Sequence, residues 1–337
     1  MQYRRLGNSG LFVSELALGT MIFGETSDRG TPADEANEMI RHYLAAGGNH
    51  IDLADVYAGG RAEEIIGQAI KGQRDQLVLT TKVRWPMGRN VNDVGLSRYH
   101  IQIGVEASLR RLQAETIDVL YLHGWDPFTP LEETLRTCDD LVASGKVRYI
   151  GVSTFKAWQV MKALGLCDQH RWLRFVAAQY QYSLVVRDLE SEFIDLCAAE
   201  GLGLVVWGPL GGGFLSGKYQ PNQRPHDAAE GRLAVTPDGS EESWARRDTD
   251  HNWTILETVN QVMAGHPGST ASQVSIAWLL TRPTVASVIV GARSLKQLTN
   301  NLIAADLVLT MDELERLNAI STYELPYPYR MINTTSR

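Results

Sequence analysis

The chain alternates short apolar runs with longer stretches in which apolar residues recur at helical spacing. Ala36, Met39, Ile40, Tyr43 and Leu44 fall at i, i+3, i+4, i+7 and i+8, one buried stripe of a helix. Thr31 reads as its N-cap, Pro32 as its first residue, and Gly47 and Gly48 as its end. Ile101, Val105, Ser108, Leu109 and Leu112 repeat the stripe. A third helix carries Phe193, Leu196 and Cys197, with Asp188 as cap and Gly201 as stop. Between such helices lie Val78–Thr81, Val119–Leu122, Tyr149–Val152, Leu204–Trp207 and Val288–Val290. These runs are nearly continuous in apolar residues, as suits parallel strands covered on both faces. Glu15–Leu18, Asn49–Asp52 and Val176–Gln179 are weaker strand signals, bringing the total to eight. Eight strands separated by helix-length gaps predict an α/β fold, a (β/α)8 TIM barrel.

An opening hairpin, Tyr3–Leu6 with Leu11–Val13, would close the barrel floor through the Asn8-Ser9-Gly10 turn. Gly208–Asp250 breaks the rhythm with Pro209, Pro221, Pro225 and Pro237 and many polar residues. It is a long loop after the seventh strand, on the catalytic face of a barrel. With no internal repeat, residues 1–337 read as a single domain.

Composition narrows the function. The 337 residues are 44% hydrophobic and 21% charged, a folding composition. The net charge is −7, and no lysine-rich run concentrates positive charge, so no nucleic-acid partner is expected. No apolar stretch is long enough to cross a membrane. Cys138, Cys167 and Cys197 lack CxxC spacing, which argues against a disulfide framework or structural zinc. The N-terminus has no apolar core of a leader peptide, so a cytoplasmic location is expected. The sequence carries no signal of oligomeric state.

Two phosphate motifs fail on inspection. Gly212 to Lys218 reads G-x-x-x-x-G-K, but Tyr219 stands where a P-loop needs Ser or Thr for magnesium. Gly211 and Gly213 begin a dinucleotide fingerprint that Ser216 breaks. A glycine-rich turn can still let backbone N–H groups approach a phosphate. No metal-ligand motif stands out, and no metal is expected.

The informative residues end consecutive strands. Asp52 ends the second, with Tyr57 in the loop beyond; Lys82 ends the third and His123 the fourth. Each alone fits a structural role: Asp52 as a turn cap, Tyr57 as a packing aromatic, Lys82 and His123 as solvated loop residues. In a barrel the four converge on one site. A nearby ammonium would lower the Tyr57 pKa, an aspartate would keep that lysine charged, and a histidine could donate to a substrate oxygen or relay a proton. Such a set protonates a carbonyl oxygen while something else delivers hydride.

These strings resemble the aldo-keto reductases, in particular prokaryotic members and the related potassium-channel β-subunits. The resemblance is carried by Asn49 to Tyr57, Glu63-Glu64-x-x-Gly67, Thr80-Thr81-Lys82, Leu122-His123, Gly151-Val152-Ser153 and Gln179-x-x-Tyr182-Ser183-Leu184. It continues through Gly208-Pro209-Leu210, Gly217-Lys218, Ala277 to Leu280, and Gly291-Ala292-Arg293 with Gln297 and Asn301. It implies a (β/α)8 barrel and reversible, NADP(H)-dependent reduction of an aldehyde or ketone, a small-molecule carbonyl substrate. By match, Tyr57 is the general acid, Asp52 and Lys82 tune it, and His123 orients the substrate. Ser153 and Gln179 hold the nicotinamide carboxamide. Trp207 stacks on the ring or fills core. Leu210, Gly211 and Gly213 to Lys218 meet the pyrophosphate, where the long loop would order as a flap. Gly291, Arg293, Gln297 and Asn301 hold the adenosine phosphate end. Thr154, Gly208 and Asn300 depart from the family's common Asn, Ser and Glu. Trp85 and Trp125 flank the substrate pocket or anchor their loops. The channel-subunit likeness leaves a second reading open, an NADPH-binding sensor subunit acting through a protein partner.

Overall fold

The computed structural model describes residues 1–227 and 230–334. The chain opens with an antiparallel hairpin, β1 (Tyr3–Arg5) and β2 (Phe12–Ser14), paired Tyr3 to Ser14 and Arg5 to Phe12. Eight parallel strands follow: β3 (Leu16–Gly19), β4 (His50–Asp52), β5 (Val78–Val83), β6 (Ile117–Leu122), β7 (Val147–Ser153), β8 (Ala177–Gln181), β9 (Gly203–Trp207) and β10 (Val285–Gly291). They close in sequence order, with β10 pairing β3, into the expected (β/α)8 barrel. Around it run α1 (Ala33–Ala45), α2 (Arg61–Ala69), α3 (Arg98–Leu112), α4 (Leu131–Ala143), α5 (Ala157–His170) and α6 (Phe193–Glu200). The post-β9 segment holds short helices α7 (Arg232–Val235) and α8 (Trp244–Arg247). Then come α9 (Asp250–Ala264), α10 (Ala271–Leu280), α11 (Leu295–Leu302), α12 (Met311–Ile320) and α13 (Tyr329–Thr334). No helix among the described residues is long and apolar enough to cross a membrane.

The apolar residues divide into two cores. The larger fills the layer between strands and helices. The smaller lies inside the barrel and joins Val78, Val119, Ala177 and Val205 to Leu6 and Val13 of the hairpin. The hairpin therefore plugs the floor, held by Asn8 N–H donating to the Gly201 carbonyl at 2.8 Å. Gly67 lets α2 approach α3: a Cβ there would stand 2.5 Å from the Arg111 carbonyl oxygen.

Local differences from the sequence reading have simple causes. Pro32, not Thr31, is the N-cap of α1, and the Thr31 hydroxyl turns to the Arg293 carbonyl instead. Asp188 opens a 3-10 turn, Asp188–Ser191, and α6 begins only at Phe193. Lys82 lies within β5, because its N–H and C=O still join the sheet up to Val83. The post-β9 segment is better packed than its polar composition suggests. Phe214, Leu215, Tyr219, Leu233 and Trp244 are buried, and the Trp244 ring meets Tyr219 and Trp253 edge-on at 5.8 and 6.4 Å. A few aromatics supply enough apolar area to anchor a long polar segment.

Candidate active site

The C-terminal ends of β4, β5 and β6 bring Asp52, Lys82 and His123 together, and the turn after β4 adds Tyr57. Lys82 points inward and is almost fully buried. Its ammonium donates to Asp52 Oδ2 at 2.7 Å, to the Leu53 carbonyl at 2.6 Å and to Tyr57 Oη at 3.1 Å. An ammonium has three hydrogens, so all are used. Asp52 Oδ1 accepts from Gln179 Nε2 at 2.7 Å and from Thr80 Oγ1 at 3.2 Å. The His123 ring stands edge-on to Tyr57 at 6.1 Å and to Trp85 at 6.2 Å.

The electrostatics follow from burial and these partners. Burial alone would lower the Lys82 ammonium, but Asp52 and Tyr57 hold it above its usual range. Burial pushes the Tyr57 phenol up; Lys82 pulls it down and Asp52 pushes it up again. The net direction is upward, which corrects the expectation of a lowered phenol: desolvation of a phenolate outweighs one ammonium already shared with Asp52. Tyr57 is therefore a protonated acid at neutral pH. Because Lys82 donates to its oxygen, the phenolic hydrogen is free to point into the mouth. Burial, then Lys82 and Arg84, push His123 down to about 2. It is a neutral imidazole that can donate one hydrogen bond, and a relay through imidazolium is disfavoured.

The remaining expected residues lie around the same rim. Ser153 ends β7, with its hydroxyl 3.2 Å from that of Thr154. Gln179 on β8 uses its nitrogen on Asp52, which leaves its oxygen for a ligand. Trp207 ends β9, half-buried against the inner core. In the following turn Gly211 and Gly213 donate their own N–H groups to Gly208 and Leu210. The N–H groups of Leu210 and Gly212 make no hydrogen bond among the described residues. Crowding around its nitrogen and the nearby Arg293 charge lower the Lys218 ammonium, although water still reaches the side chain. Two cations and two free N–H groups fit a phosphate-bearing ligand. Gly291 ends β10. Gln297 Oε1 accepts from the Arg293 N–H at 2.9 Å, and buried Asn301 donates to the Gly291 carbonyl at 3.3 Å. Asn300 turns away to Thr270 and Gln273 of the α10 cap. Gly208 has φ +68°, which favours glycine over serine there.

Of the two expected pocket tryptophans, Trp85 lies beside a catalytic candidate, and Trp125 packs against the core between strands and helices. Trp85 reaches His123, and Trp125 packs on Phe155 at 5.1 Å and on Trp158 at 6.1 Å. A groove of about 620 Å³ between α3 and α4, lined by Glu106, Asp140 and Lys146, opens near the start of β7, away from this cluster. Among the described residues no group of His, Cys, Asp and Glu could hold a metal.

Sequence reasoning missed four contributors. Arg84 lies two residues beyond Lys82, a spacing that puts both on one side of the strand. Arg232 pairs with Glu242 at 2.6 Å and lies near enough for Tyr57 to feel its charge. Trp158, exposed on α5, packs on Trp125. Asp55 lies inside the Asp52-to-Tyr57 string, fully buried, with neither carboxylate oxygen hydrogen-bonded among the described residues. Burial and then Glu63 push it up to about 7, against Arg111 and Lys82.

The aldo/keto reductase family profile matches residues 15–322. The chain belongs to the aldo/keto reductase family. It is 37% identical over 329 residues to a probable voltage-gated potassium channel subunit beta of Arabidopsis thaliana, covering 94% of this chain and 96% of that protein. It is 31% identical to the versiconal hemiacetal acetate reductase of Aspergillus parasiticus over the full length of both. It is also 31% identical to the aryl-alcohol dehydrogenase (NADP+) of Phanerodontia chrysosporium, over 97% and 87% of the two chains. As an aldo/keto reductase the chain is an oxidoreductase, of a family whose members generally use nicotinamide cofactors.

Two outcomes follow from the geometry. Thr154 has φ +57°, left-handed backbone that disfavours a β-branched residue. Thr154→Asn should raise stability by about 1 kcal/mol, read by thermal unfolding. The second concerns Asp55. The folded chain keeps its proton up to about pH 7, whereas the unfolded chain releases it near about pH 4. Stability from this group therefore falls as pH rises through that window. Asp55→Asn removes the loss, so the variant should gain on the parent by up to about 4 kcal/mol between about pH 4 and pH 8 in urea unfolding. A difference independent of pH would mean the carboxyl is not desolvated.

Proposed function

We propose that this chain reversibly reduces an aldehyde or ketone to an alcohol with NADP(H), using Tyr57 as general acid. The observation that carries the reading is the Lys82 ammonium hydrogen-bonded at once to Asp52 and Tyr57. A nicotinamide bound at this rim would supply hydride for the carbonyl carbon. Tyr57 gives its phenolic proton to the carbonyl oxygen, and the Lys82 ammonium stabilises the phenolate that remains. Asp52 keeps Lys82 charged and in place. His123, neutral, donates to the same oxygen and fixes its position. Ser153 and the Gln179 oxygen are suited to a carboxamide, and Trp207 to an aromatic ring face. Leu210, Gly212 and Lys218 suit the pyrophosphate. Arg293, with Gly291, Gln297 and Asn301 shaping its loop, suits the ribose phosphate. Trp85 and Trp125 favour an apolar or aromatic substrate, in keeping with the names of the two fungal relatives.

The 37% identity to the plant protein supports a second reading, an NADPH-binding subunit acting through a protein partner. NADPH oxidation with a panel of aldehydes at high protein concentration separates the two: turnover supports the enzyme, and cofactor binding without turnover supports the subunit.

Tyr57→Phe removes only the proton donor. It should cut carbonyl reduction by about 10²–10⁴-fold and leave NADPH affinity within about twofold. Retained activity would remove Tyr57 from the chemistry. NADPH should bind more tightly than NADH by about tenfold or more, and Arg293→Ala should erase most of that gap in fluorescence titrations. An unchanged gap would place the 2′-phosphate elsewhere.

A further inference from the structure

Arg84 is a cation beside the site that the proposed chemistry leaves unused. It follows β5 directly, and its guanidinium lies over the Trp85 ring, 4.2 Å from the centroid. Nε and Nη2 both donate to the Trp125 carbonyl, at 3.3 and 3.2 Å. That leaves Nη1 without a hydrogen-bond partner, and no carboxylate within 4 Å of the group, among the described residues. Asp126, whose carboxyl Arg84 helps to lower, accepts instead from the Leu96 and Phe128 N–H groups and from Thr129 Oγ1. The guanidinium is half-buried, so its charge is felt in the mouth.

The groups form a chain of neighbours. His123 touches Tyr57 on one side and Trp85 on the other, and Arg84 lies on Trp85. For a carbonyl oxygen held by Tyr57 and His123, an attached aromatic ring lying against Trp85 would bring its far substituent within reach of Arg84. We propose that Arg84 determines specificity by receiving an anionic group at that far end, so that the site prefers aryl aldehydes bearing a carboxylate. A planar fork with a free edge suits a carboxylate better than a point charge does. The two bonds to Trp125 hold the fork in place beforehand, which lowers the ordering cost on binding. This inference rests on the carbonyl-reducing reading of the same site.

The test compares para-carboxybenzaldehyde with its methyl ester, in the parent and in Arg84→Met, with NADPH as cofactor. The parent should favour the acid in kcat/KM by about tenfold or more, and the variant should lose that preference through KM while ester reduction changes little. Arg84→Lys should restore part of the preference. Ester reduction with no preference for the acid, or a preference unchanged in Arg84→Met, overturns the inference and leaves the reductase reading standing. Quenching of tryptophan fluorescence by the two compounds reads binding without turnover. If neither compound is reduced but the acid binds more tightly in the parent alone, the Arg84 site stands and the reductase reading falls. If Arg84→Met weakens ester binding as much as acid binding, Arg84 only scaffolds Trp85 and Trp125, and the proposal is overturned.

Discussion

The site depends on keeping the Lys82 ammonium charged where water does not reach it. A buried cation is tolerated only when its hydrogens meet oxygens and an anion lies beside it. Lys82 has the Asp52 carboxylate, the Leu53 carbonyl and the Tyr57 hydroxyl, one for each hydrogen. The three acceptors come from the end of β4 and the turn after it, so the pairing of β4 with β5 fixes the geometry. Asp52 is held in turn by Thr80 and Gln179, from strands on two sides of the barrel. Removing either member of the pair would leave the other buried and unpaired, which typically costs 3–5 kcal/mol.

The same charge sets the protonation of its neighbours. After burial, which is the larger cause, it opposes a second cation at His123 and so helps to keep that imidazole neutral. It does not offset the burial of Tyr57, so the phenol keeps its proton until a substrate oxygen needs it. An acid that is protonated at rest and has an ammonium already aimed at its oxygen needs little reorganisation when charge develops.

Backbone strain is found beside these residues. Ala58, next to Tyr57, has φ +48°, and Thr154, next to Ser153, has φ +57°. Neither residue type favours that region, and such strain persists where the surrounding structure over-determines it. At Ala58 the constraint is the sharp turn that brings Tyr57 back over Lys82. Behind it, Glu63 on α2 accepts from Thr81 of β5 and from Arg111 of α3. This buried network ties the turn to the barrel wall and explains the paired Glu63 and Gly67: one joins the three elements, the other lets the helices close.

Much of this was legible in the sequence. Apolar runs at regular spacing determine the strand count, and residue type at the strand ends singles out Asp52, Tyr57, Lys82 and His123, because a barrel sends those positions to one face. Strand limits, caps and the packing of the post-β9 segment were less legible, since they turn on single hydrogen bonds and on aromatics scattered through polar sequence. Only the tertiary structure decided the energetics. Whether an ammonium lowers a neighbouring phenol depends on how much water both have lost, and no spacing records that. The turn after β9 likewise closes on its own carbonyls, using the N–H groups of Gly211 and Gly213 and leaving those of Leu210 and Gly212 without a hydrogen bond among the described residues. Asp55 and Arg84 are ordinary charges in the sequence; folding buries the first, with neither carboxylate oxygen hydrogen-bonded among the described residues, and lays the second across Trp85.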